Sequence, residues 1–137
     1  MNKTQEELAD LLRESTLEFF GTAQHKVVPS KLVETQDVLL LDVRSREEFQ
    51  SIAVTFGIHP NIQYLHIPVN EIPNRVDEIP SGKNIVIFCP SNFRSTLTYA
   101  YLKMIGHESV RILTGGYPGL AELLMPGKVY KQVSKRS

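Results

Sequence analysis

Tryptophan is absent from the 137 residues, and cysteine occurs once, as Cys89. A single cysteine excludes an intramolecular disulfide, so the fold must hold by packing. The chain also lacks net charge, because 15 Lys and Arg stand against 15 Asp and Glu. That balance leaves no electrostatic footprint for nucleic acid or an anionic membrane. Apolar runs are short: Val38–Leu41 and Ile85–Cys89 are strand-sized, far below the roughly 20 residues of a spanning helix. The N-terminal stretch MNKTQEELADLLRES has no apolar core of a secretory signal. The expected location is the cytoplasm, where a lone thiol stays reduced. His25, His59, His66 and His107 are scattered, and with one cysteine they make no metal-ligand spacing. Neither a metal nor a cofactor is expected.

What is present is globular: 42% hydrophobic and 22% charged residues, in a chain the size of one domain. Thr4-Gln5-Glu6-Glu7 reads as a capping box. Leu8, Leu11, Leu12, Phe19 and Phe20 follow at helical spacing, with Gly21 as a stop. Residues 1–25 are therefore expected to form a helical extension. Its apolar stripe packs on the main domain or, alternatively, on a second copy in a homodimer. Residues 26–130 alternate between strand and helix patterns. Val27-Val28, Val38–Leu41, Tyr64–Ile67, Asn84–Phe88 and Val110–Leu113 read as strands. Ser45-Arg46-Glu47-Glu48 reads as a second capping box leading into Phe49. Ile72, Val76 and Ile79 mark a short helix, Thr96–Ile105 a longer one and Leu120–Met125 the last, stopped by Pro126-Gly127. Residues 131–137 read as a frayed, solvated tail. The alternation implies an α/β fold, a parallel sheet covered by helices on both faces. In such sheets the site lies beyond the carboxyl ends of the strands, where Asp42 and Cys89 both stand.

Around Cys89 the sequence is Phe-Cys-Pro-Ser-Asn-Phe-Arg-Ser-Thr, residues 88–96. A cysteine leaves a buried strand, the chain turns, and a helix begins. Inward-pointing amides, a helix N-terminus and the fixed cation of Arg94 all favour a thiolate. The same cradle would hold the anion that a thiolate becomes after reaction. Asn92 tolerates the left-handed conformation a tight turn demands. The alternative is a small buried hydrophobe ending a strand, with Arg94 a surface charge. Composition leaves both open.

Four segments in order resemble the single-domain rhodanese (thiosulfate sulfurtransferase-like) family. They are Leu40-Leu-Asp-Val-Arg-Ser-Arg-Glu-Glu-Phe49, His66-Ile67-Pro68, Cys89–Ser95 and Val110–Gly116. The resemblance runs from about Lys26 to Val129. It implies a five-stranded parallel sheet flanked by helices. It also implies that Cys89 takes a sulfane sulfur from a small donor, becomes a persulfide, and passes the sulfur to a thiol or protein acceptor. By this resemblance Cys89 is the nucleophile, and Ser91, Asn92, Phe93, Arg94 and Ser95 bind the substrate. Arg94 steadies both the loop and the incoming anion, while Asp42 and Arg44 organise the loop and the sheet end.

The chain departs from the family pattern in several places. Pro90 has no N–H to donate, and Asn92 stands where glycine is common. Arg94 is the loop's cation, fewer than family members that favour thiosulfate often carry. Gln50–Tyr64 is longer than the usual link, and its His59 is a candidate to reach the pocket. Phe93 and Tyr117 are candidates for an apolar rim. Leu123 or Leu124 is expected to fill the space of the family's usual tryptophan. Two other functions compete: a non-enzymatic binding or regulatory module, and a cysteine phosphatase or arsenate reductase. The latter need Cys and Arg six positions apart, whereas Cys89 and Arg94 are five apart.

Overall fold

A computed structural model describes residues 2–53 and 61–134. Five strands form one parallel sheet: β1 (Lys26–Val27), β2 (Val38–Asp42), β3 (Ile62–His66), β4 (Asn84–Phe88) and β5 (Val110–Leu113). Their order across the sheet is β1-β5-β4-β2-β3. All four pairings are parallel, and β2 sets Asp42 level with Phe88 on one side and His66 on the other. The continuous apolar run of β2 follows from this position, because a central parallel strand is covered on both faces. Every residue of β2 is buried.

Alternate residues feed two cores. One face presents Leu39, Leu41, Ile85 and Ile87 to Leu102 of α5 (Phe93–Met104) and to Ile72 and Ile79. The other presents Val38, Leu40, Val86 and Phe88 to Leu32 of α3 (Pro29–Leu32) and Leu120 of α6 (Gly116–Leu123). Helices thus cover both faces, as the strand pattern implied.

The N-terminal extension is two helices, α1 (Lys3–Glu14) and α2 (Leu17–Gly21). The cap of α1 is Asn2, two residues before the expected Thr4. Asn2 Oδ1 accepts from the Gln5 amide at 2.8 Å, and Gln5 Oε1 accepts from the Asn2 amide at 2.9 Å. Asn is the stronger cap, and Gln three residues on completes the box. The break at Ser15-Thr16 also has a local cause. Ser15 Oγ donates to the Leu11 carbonyl at 2.8 Å, and Thr16 Oγ1 accepts from the Phe19 amide at 3.2 Å. Both bonds compete with continued helix. Helix α1 lies against α5 yet buries none of its residues, and Leu8 and Leu12 stay 46% and 69% exposed. The stripe is therefore covered only in part, with Leu11 and Phe19 half-buried.

Three further boundaries differ from expectation. Val28, expected in the first strand, instead caps α3, and Pro29 begins that helix as its first residue, a position that suits a residue without N–H. Two 3-10 turns, Val69–Asn74 and Val76–Glu78, replace the helix expected over 72–79; Pro73 denies it an amide. Pro126 starts α7 (Pro126–Ser134) where a stop was expected. Among the described residues, no helix is long and apolar enough to cross a membrane.

Candidate active site

The Phe88 carbonyl accepts from the Val43 amide at 3.1 Å, closing the ladder at the carboxyl end of β4. Cys89 is the next residue and is fully buried. Three residues turn the chain, ending at Asn92 with φ 67°, so the left-handed conformation expected there is adopted. Helix α5 then begins at Phe93, three residues earlier than its hydrophobic spacing suggested. Its first amides have no partner within the helix. The Ser95 amide lies 3.3 Å from Cys89 Sγ, and Ser95 Oγ lies 2.9 Å from it. Two donors and the positive end of a three-turn helix converge on the sulfur.

A close approach behind the turn holds it in place. Gly116 has φ +52°, and a Cβ there would stand 2.7 Å from the Pro90 carbonyl oxygen. Gly116→Ala combines left-handed strain with this clash. The expected cost is about 2–3 kcal/mol in urea unfolding, with slower reaction at Cys89 as the turn shifts. A loss below about 0.5 kcal/mol would show that the Pro90 carbonyl is free to move aside.

Arg94 projects from the first turn of α5 onto Glu48 of α4 (Arg46–Ser51). The fork is bidentate: Nη1 to Oε1 at 2.6 Å and Nη2 to Oε2 at 3.0 Å. Glu48 also closes the Ser45 capping box, accepting from the Ser45 amide at 2.9 Å while Ser45 Oγ accepts from the Glu48 amide at 3.2 Å. The Arg94 guanidinium, then the Ser45 amide, hold the Glu48 carboxyl down at about 2. A carboxylate depressed on folding stabilises above its ordinary pKa and loses that stability as pH falls. The native state should therefore lose Glu48's share between about pH 4.5 and 2. Glu48→Gln should flatten that acid limb in urea midpoints measured against pH. An unchanged limb would refute the assignment.

Beneath the loop lies a second ion pair, wholly enclosed. Asp42 and Arg44 are both fully buried, with Arg44 Nη2 2.7 Å from Asp42 Oδ2. Arg44 Nε lies 3.0 Å from each carboxylate oxygen, and the Arg44 amide donates to Oδ1 at 3.1 Å. Nη1 donates to the Ile52 carbonyl at 2.7 Å and to Tyr117 Oη at 3.3 Å. The guanidinium also stands 5.5 and 5.6 Å from the ring centres of Phe88 and Tyr117. Burial alone would lower the pKa of Arg44, but its bonds to Asp42 and Tyr117 outweigh that and push it up. The Tyr64 hydroxyl donates to Asp42 Oδ2. Burial, then that bond, raise the Tyr64 pKa. His66 Nε2 meets the Arg44 carbonyl at 2.8 Å, and its ring stacks on Phe49 at 4.4 Å. This network ties β2, β3, α4 and α6 together under the cysteine turn.

Residues 29–123 match the rhodanese-like domain family. The chain belongs to that family. A sulfurtransferase of Allochromatium vinosum is 38% identical over 86 residues, 63% of this chain and 74% of that protein. Among solved structures, the NAD-dependent persulfide reductase of A. fulgidus is 34% identical with a TM-score of 0.54. That match covers 72% of this chain but 16% of the reductase. A rhodanese-related protein of Thermoplasma volcanium shares the fold, with TM-score 0.60, 20% identity, and 74% and 95% of the two chains covered.

The rhodanese-like domain brings together some of the residues named from sequence and leaves others apart. Cys89, Arg94 and Ser95 surround the turn, and Ser95 supplies the hydrogen bonds to sulfur. Ser91, Asn92 and Phe93 face outward, with Phe93 70% exposed. Asp42 and Arg44 lie beneath as a closed pair. Tyr117 joins that pair rather than a rim. Leu123 packs at the edge of the α6 core, whereas Leu124 is 68% exposed. His59 and the Gly57–Pro60 stretch fall outside the described residues. Glu48, Tyr64 and Gly116 were not singled out from sequence as site residues. Of these, Glu48 carried a signal as the last residue of the Ser45 box, but its ion pair did not.

Proposed function

We propose that the protein is a sulfurtransferase that carries sulfane sulfur as a persulfide on Cys89. The observation that carries this reading is the sulfur's position at the open N-terminus of α5, with Ser95 Oγ and N at 2.9 and 3.3 Å. In the first half-reaction the Cys89 thiolate attacks the outer sulfur of the donor. The donor's S–S bond breaks, and its leaving group departs with the electron pair. In the second half-reaction a nucleophilic acceptor attacks that sulfur and releases the thiolate. Ser95 and the helix end face the sulfur in both half-reactions, where they can stabilise negative charge that develops on it. Relatives named as a sulfurtransferase and a persulfide reductase support sulfane-sulfur chemistry. The partners of this reading are a small sulfane donor and a thiol or protein acceptor, in the cytoplasm. Because Cys89 is the sole cysteine of the sequence, no second thiol among these residues can serve as the acceptor.

A persulfide intermediate requires ping-pong kinetics. Initial rates with donor and acceptor varied should give parallel double-reciprocal lines. Converging lines would replace the covalent intermediate with direct transfer in a ternary complex.

A further inference from the structure

From the Arg94–Glu48 pair we infer that Glu48 is a positioning residue that sets donor specificity: by occupying the fork of Arg94, it turns the site from dianionic donors towards uncharged persulfides. This inference rests on the sulfurtransferase reading and concerns which donor that same site accepts.

The argument is a count of charges around a buried sulfur. The described ionised groups at the turn are Arg94, Glu48, Asp42 and Arg44. Arg94 gives both terminal nitrogens to Glu48 at 2.6 and 3.0 Å. Arg44 gives Nε and Nη2 to Asp42 at 2.7–3.0 Å, and both are fully enclosed. Each pair cancels itself. When Cys89 reacts as its thiolate, the charges left over are that sulfur and the partial positive end of α5, about half a unit. A dianion such as thiosulfate would bring two more negative charges beside the thiolate, at a fully buried atom. Charge in so enclosed a place is costly unless paired, and the cation suited to pair it is already engaged. An alkyl persulfide brings at most one negative charge, and none in the protonated form whose outer sulfur is attacked. The Cys89 thiolate attacks its outer sulfur, the S–S bond breaks, R–S⁻ leaves with the electron pair, and the proton stays on the transferred sulfur. Thiosulfate loads the same sulfur with sulfite as the leaving group, so both donors report on one product.

Two features place this control on Glu48 rather than on the loop alone. Glu48 is held from a second side by the Ser45 amide at 2.9 Å, so its carboxylate cannot swing away from Arg94 without opening the cap of α4. Gln also serves at that cap position, so Glu48→Gln removes the charge while keeping the helix start.

The test is the concentration dependence of Cys89 persulfide loading, read by intact mass, with thiosulfate and with hydroxyethyl persulfide as donors. In the wild type, hydroxyethyl persulfide should load with a second-order rate constant at least about tenfold above thiosulfate. In Glu48→Gln the thiosulfate-to-persulfide ratio should rise at least about tenfold, through the half-saturating concentration rather than the limiting rate. Thiosulfate loading should also become more sensitive to salt. In Glu48→Gln/Arg94→Gln the gain should vanish, because Glu48 acts through Arg94. An unchanged ratio, or a gain that survives loss of Arg94, would overturn the inference while leaving sulfur transfer intact. If Glu48→Gln does not fold, a wild-type preference for thiosulfate overturns it alone. Failure of both donors to load Cys89 would instead overturn the sulfurtransferase reading, and this inference with it.

Discussion

Replacing Cys89 by serine is expected to reduce sulfur transfer by at least on the order of a thousandfold, to background, with every donor. The variant keeps the size of the side chain and a group that Ser95 can still hydrogen-bond. It removes the one atom able to hold a second sulfur. A hydroxyl in the same cradle is a far weaker nucleophile than a thiol that can react as its thiolate. Thermal unfolding should shift little, because a buried small group is exchanged for another that retains its partner. That combination separates loss of the nucleophile from loss of the fold. Residual turnover within about tenfold of wild type, in a folded Cys89→Ser protein, would mean that sulfur travels by another route.

The largest expected effect on stability is that of Asp42→Ala. It leaves the Arg44 guanidinium fully buried, with its main counter-ion gone and the Tyr64 hydroxyl without its acceptor. Breaking one side of such a pair costs about 3–5 kcal/mol, against a total of about 5–15 kcal/mol for an ordinary domain. The measurement is urea unfolding with the slope checked for change. The consequence reaches the site, because Asp42 is level with Phe88 in the sheet and Cys89 follows directly. Sulfur loading should slow even where Asp42→Ala remains folded. Asp42→Asn retains an acceptor and should lose less. A cost below about 1 kcal/mol for Asp42→Ala would show that Arg44 finds solvent and that the pair does not hold the sheet end.

The central part of the fold was legible because its signals are local. The unbroken apolar run of β2 announces a strand covered twice. The Ser45 box announces α4, and a cysteine after Phe88 stands at the carboxyl end of a central strand. The start of α5 was not legible, since its cap is a left-handed Asn92 without the side-chain bond that marks most helix starts. The same applies to α7, whose Pro126 reads equally as a stop or as a first residue. The electrostatics of the site were less legible still. Arg94 could be recognised as the cation of the turn, but its partner lies 46 positions away. Tyr64 reaches Asp42 across 22 positions. Such pairings follow from strand order β4-β2-β3, which places α4, α5 and β3 around one sheet end, and periodicity carries no such information.

The most direct measurement is the mass of the chain after brief treatment with a sulfane donor and removal of excess. The account predicts a gain of about 32 Da, one sulfur atom, confined to the peptide containing Cys89, lost on adding a thiol acceptor and absent from Cys89→Ser. A Cys89 that alkylates readily yet never gains that mass, with hydroxyethyl persulfide or thiosulfate, would contradict it.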